Sequence, residues 1–177
     1  RTDCGDIRIM NSALTVEMPY EVVSCDTSNQ TGEIHFRANS ISSSVDTTFY
    51  LYHNNVSDFP YEDDHTYGAE TVWNNDYVVV YHMEEDPSAG SNSILDSTSN
   101  GLHASPNGSM TSGDLTEGKL SQGLSLDGID DYLNIASDSA LDLVNNGDWH
   151  VSLWTNWAGG GAAGHQYFVQ QTDVGGT

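Results

Sequence analysis

The reading turns on Ile94-Leu-Asp-Ser-Thr-Ser-Asn-Gly-Leu-His-Ala104, a polar loop, and Gly118-Lys-Leu-Ser-Gln-Gly-Leu-Ser-Leu-Asp-Gly-Ile-Asp-Asp-Tyr-Leu-Asn-Ile135. Two oxygen-rich bends, Asp96 to Asn100 and Asp127 to Asp131, abut short apolar runs. Asn-Gly and Asp-Gly steps mark turns, because glycine takes positive φ freely and Asn or Asp tolerates it. Leu124 and Leu126, then Leu133 and Ile135, alternate with polar neighbours. That is strand spacing with one buried face.

The same pattern carries a resemblance. Leu95-Asp-Ser-Thr-Ser-Asn-Gly-Leu-His-Ala, a spacer containing Gly-Lys, and Leu124-Ser-Leu-Asp-Gly-Ile-Asp-Asp-Tyr resemble the laminin-G-like, concanavalin-A-like lectin superfamily. The likeness extends to Tyr77-Val-Val-Val-Tyr-His-Met-Glu-Glu and to Trp149-His-Val-Ser-Leu-Trp. It implies a jelly roll over 76–177, C-terminally incomplete at Thr177. Within it, Asp76 to Met83 is apolar on both faces and is expected to be a central strand. Trp149 to Trp157 and Gln166 to Gln171 are expected to be strands, with a single turn at Ser139-Ala-Leu-Asp-Leu.

Residues 1–58 read as a separate small β-sandwich. Asp6-Ile-Arg-Ile-Met, Thr15-Val-Glu-Met, Tyr20-Glu-Val-Val-Ser, Glu33-Ile-His-Phe-Arg-Ala and Thr47-Thr-Phe-Tyr-Leu-Tyr-His are short strands separated by Asn, Ser and Gly. The fourth places Ile34 and Phe36 inward and Glu33, His35 and Arg37 outward. The unit resembles a domain of unknown function that precedes lectin-like jelly rolls in bacterial and archaeal surface proteins. That likeness implies a first sheet cut short at Arg1. Residues 59–75 read as an acidic linker. The expected fold is therefore all-β: two antiparallel β-sandwiches, the second a truncated jelly roll.

Four basic residues face 26 acidic ones, a net charge of -22. Such a surface repels phosphates, which disfavours nucleic acid and anionic membrane surfaces as partners. It favours cations or a screening, salty medium. No apolar run approaches membrane-spanning length. Cys4 and Cys25, the only two cysteines, sit in similar contexts at the ends of neighbouring strands. A disulfide closing that loop is expected, with an extracellular or cell-surface location following from it; two buried thiols are the alternative.

Calcium takes six to eight oxygen ligands. The lectin resemblance implies a rim calcium, with Asp96, Asn100, Asp127 and Asp130 as candidate ligands. The competing reading has Asp127 and Asp130 capping a tight hairpin through backbone amides. Trp154, Asn156 and Trp157 have the residue types that meet a sugar: ring faces for its apolar side and an amide for its hydroxyls. Glycosylation sequons stand at Asn29, Asn55 and Asn107, all in expected turns. Glu84, Glu85 and Asp86 are the crowded candidate for a glycosidase pair, but Pro87 ends any strand that would align two of these carboxylates. The seven histidines show no zinc spacing.

Two functions follow as expectations. One is a carbohydrate-binding or adhesion module of a larger secreted or surface protein, non-enzymatic, with a glycan or cell-surface polysaccharide as partner and Ca²⁺ as cofactor. The alternative is a structural subunit of an extracellular filament, sheath or surface layer, whose copies join by strand complementation through open β edges.

Overall fold

The computed structural model describes residues 3–74, 76–142, 148–157, 159 and 167–171. They are β-rich, in small antiparallel sheets, with one short α-helix. β1 (Arg8–Asn11), β2 (Glu17–Met18) and β5 (Phe49–Tyr52) form a sheet in the order β2-β1-β5. β3 (Tyr20–Asp26) and β4 (Thr31–Phe36) form a hairpin. β6 (Ala104–Asn107) pairs with β9 (Tyr132–Ile135), and β7 (Leu115–Glu117) with β8 (Gln122–Leu124).

Alternation on β1 to β4 builds one core. Ile7, Ile9, Met18 and Tyr20 are buried together, with Cys4, Val22, Ile34, Phe49 and Tyr61 packed around them. Each fully buried apolar side chain contributes about 1.5–3 kcal/mol. Cys4 and Cys25 lie at disulfide distance, their Cα atoms 6.1 Å apart. Ile34 faces this core as its alternation requires, but Phe36 is 39% exposed and meets Phe49 edge-on.

Residues 59–74 are bound to this unit rather than strung away from it. Tyr61 lies under the Arg8 guanidinium and beside Tyr20, and its hydroxyl donates to Glu17. The helix α1 (Ala69–Val72) buries Ala69 and Val72. Gly68 precedes it because a Cβ there would lie 2.2 Å from the carbonyl oxygen of Glu62.

Three expected strands are absent as strands. Residues 76–83 run without a ladder, bounded by left-handed backbone at Asp76 (φ 78°) and Met83 (φ 60°). Single bonds tie them down instead: Val80 N–H donates to the Asp96 carboxylate, and Val80 C=O accepts from Ser97. An apolar run demands burial; it does not supply a strand partner. Residues 148–157 and 167–171 likewise carry no strand, and Trp149, Trp154, Trp157 and Phe168 are exposed. Gln166 lies outside the described residues. Ser139–Leu141 does form a single 3₁₀ turn, capped by the Asp138 carboxylate.

Candidate functional site

The hairpin β3–β4 has two faces. One carries Tyr20, Val22 and Ile34 into the core. The other carries Glu21 and His35, which are direct cross-strand partners, and Glu33 two positions before His35. An irregularity between Val22 and Ser24 sets Ser24 opposite Glu33, and the Ser24 hydroxyl accepts the Glu33 amide at 3.2 Å. The sequence alone assigns this second face to solvent. The structure covers it with Trp73, which ends α1, and with His82 and Ser97.

Glu21 is the hub. Its Oε1 accepts from the Ser97 hydroxyl at 2.7 Å, and its Oε2 accepts from Trp73 Nε1 and lies 3.0 Å from His82 Nε2. Beside it, His35 Nε2 lies 2.6 Å from Glu33 Oε1. The His35 and His82 rings stack with centroids 4.9 Å apart, and Trp73 leans on both. Side-chain exposure is 13% for Glu21, 14% for His82, 17% for Glu33 and 28% for His35, so the cluster is sheltered yet reachable. Burial pulls the His82 pKa down, but the Glu21 hydrogen bond and the charges of Glu21, Glu33 and Glu85 outweigh it, and the value stands above that of a free imidazole. Burial likewise raises Glu21, while donors from His82, Trp73 and Ser97 hold it below the ordinary carboxylate value.

One ligand atom each from Glu33, His35 and His82 lies within 4.8 Å of the others. A carboxylate with two imidazoles is a donor set for a borderline transition metal, not for calcium. Sequence reading missed it because 61 positions separate Glu21 from His82. The legible signals were the Glu33-x-His35 alternation and a histidine inside the apolar run 77–83.

The expected calcium ligands fall at two places. The bend at 96–100 adjoins the Ala104↔Ile135 end of the β6–β9 ladder, and the bend at 127–131 adjoins the Asn107↔Tyr132 end. A four-residue ladder separates its ends by about 10 Å, so Asp96 and Asn100 do not share an ion with Asp127 and Asp130. Asp96 is buried, and its carboxylate takes four donors: Val80 N, Thr98 N, Thr98 Oγ1 and Leu102 N. Asn100 donates its side-chain amide to Val78 C=O. Both organise a loop. Asp127 and Asp130 do group with Asp131. There Asp127 accepts from the Ile129 and Asp130 amides, and these bonds hold its pKa below the ordinary value, as hairpin capping would.

Trp154 and Trp157 are 72% and 69% exposed, with Lys119 Nζ 6.0 Å from the Trp154 ring centre, and Asn156 is exposed between them. Asn29 and Asn55 are exposed outside strands, whereas Asn107 is the last residue of β6, paired with Tyr132, and not in a turn. Glu84, Glu85 and Asp86 disperse: they accept from the backbone amides of Gln122, Leu95 and Ser88 respectively. Among the described residues no helix is long and apolar enough to cross a membrane. No family model matches the chain, and no curated protein or solved structure matches it.

Proposed function

We propose that this chain is a recognition module of a larger secreted or surface protein, binding a glycan or cell-surface polysaccharide without turning it over. The observation that carries this reading is the exposed set Trp154, Asn156 and Trp157 on a strongly acidic protein. Two indoles that are mostly exposed cost hydrophobic free energy, and exposed aromatics with a polar group between them suit the apolar face and hydroxyls of a pyranose. Cys4 and Cys25 at disulfide distance agree with an extracellular setting. The lectin-like sequence pattern at 94–135 points the same way.

The test is retention on immobilised polysaccharides and a glycan array. Retention by the parent chain that drops at least tenfold in Trp154→Ala and in Trp157→Ala supports the reading. Retention of no glycan, or equal retention by both variants, overturns it. Repeating the array in EDTA asks whether Asp127 and Asp130 hold a calcium that binding needs.

The assembly reading has its own observation. β5 lies at the edge of its sheet, and Tyr50, Leu51 and Tyr52 are 47%, 51% and 47% exposed. An apolar edge strand is a template for a neighbour's strand. Concentration-dependent polymerisation, abolished by Leu51→Lys and unaccompanied by any glycan signal, would place the function there.

A further inference from the structure

We propose that Glu33, His35 and His82 form a site for a borderline divalent transition metal, Zn²⁺ foremost, that staples the β3–β4 hairpin to the 76–83 segment. Three observations meet at this point. The first is the donor set, one carboxylate oxygen and two imidazole nitrogens mutually within 4.8 Å. Tetrahedral zinc with bonds of about 2.0–2.1 Å needs ligand atoms roughly 3.3 Å apart, so sub-ångström to about 1.5 Å adjustments of side chains gather them. The 2.6 Å Glu33–His35 contact opens slightly to admit the ion.

The second is a preformed outer shell. Metal-bound imidazoles are oriented by a carboxylate on their other nitrogen, and Glu21 already holds His82 while being fixed itself by Trp73 and Ser97. A rotation of His82 keeps Glu21 on one nitrogen and offers the other to the ion. The third is field. Glu21, Glu33 and Glu85 act on His82, and Glu33 and Glu21 adjoin His35, in a chain of net charge -22, so a dication is drawn to this seam and neutralises repulsion there. Calcium is the wrong occupant, since two nitrogen donors replace oxygens it requires.

The geometry assigns the ion a structural role. Its ligands come from β4 and from a segment that no ladder attaches, so binding supplies a cross-link where backbone pairing is missing.

The experiment strips the chain with EDTA, removes the chelator, and titrates ZnCl₂ by calorimetry and CoCl₂ by visible absorption. The expected result is one tight equivalent, an intense tetrahedral d–d band with Co²⁺, and a Zn²⁺-dependent rise in melting temperature. Binding should weaken at least 100-fold in His35→Gln and in His82→Gln. In Glu21→Gln it should weaken about 10–100-fold, as for an outer-shell partner. The Asp127→Asn/Asp130→Asn double variant should bind as the parent does. A parent chain that takes up no Zn²⁺, an octahedral Co²⁺ spectrum, or affinity unchanged in His82→Gln overturns the proposal. The parent's Co²⁺ spectrum decides the matter even if a histidine variant fails to fold.

Discussion

Asp96→Asn separates a loop-organising carboxylate from a calcium ligand. In the parent, Oδ1 accepts the Val80 and Thr98 amides at 3.0 and 2.9 Å, and Oδ2 accepts the Thr98 hydroxyl and the Leu102 amide, both at 2.9 Å. Asparagine keeps one oxygen and puts an NH₂ group where the other stood. If the remaining oxygen serves Val80 and Thr98, the Thr98 hydroxyl can turn and accept. The Leu102 N–H cannot turn, and it faces another donor in a buried place. An unsatisfied buried donor costs about 1–3 kcal/mol, and the lost charge weakens the bonds that remain. The expected penalty is about 2–4 kcal/mol. At about 2–4 °C per kcal/mol for a chain of this size, the melting temperature falls by about 5–15 °C. Urea unfolding followed by tryptophan fluorescence, in EDTA and again in CaCl₂, measures it. A loss below about 0.5 kcal/mol in EDTA, the range of an unimportant surface change, refutes the reasoning. So does a loss seen only with calcium present.

Three further outcomes follow from the same geometry. Met18→Ala, at a side chain only 1% exposed, should cost about 2–5 kcal/mol through lost transfer energy and a residual cavity, read by the same urea titration. Reducing the Cys4–Cys25 bond, or replacing both residues with serine, should cost about 3 kcal/mol for a separation of 21 residues, visible as a melting shift on adding reductant. For Asp6, burial would raise the carboxyl, but amides of Asp6, Asn54 and Asn55 outweigh it and leave the pKa lowered; Asp127 is lowered chiefly by the Ile129 amide. Carboxylates with depressed folded values stabilise above their unfolded pKa and lose that contribution as pH falls through the folded one. Stability should therefore hold from neutrality to about pH 4 and drop below it, and Asp6→Asn should flatten that acid limb in melts carried from neutrality to well below about pH 4.

The residues themselves determined a good deal. Alternation placed β1, β3, β4 and β9 and turned Ile34 toward the core, because period-two patterning is a local property of chain and pleat, although Phe36, given the same face, stays partly exposed. Asp-Gly chemistry marked the turn at Asp127, where the carboxylate caps its own following amides. The cysteine pairing followed from there being only two. Tertiary structure alone decided which apolar or polar face meets another segment. The Tyr77 to Tyr81 run advertised burial, but whether it met a strand or a carboxylate depended on where Asp96 lay. Glu33 and His35 read as solvent-facing because alternation reports two faces without saying that Trp73 and His82 cover the second. Interactions between distant positions leave no local period behind, so a cluster assembled from Glu21, Glu33, His35 and His82 became legible only when the chain had folded back on itself.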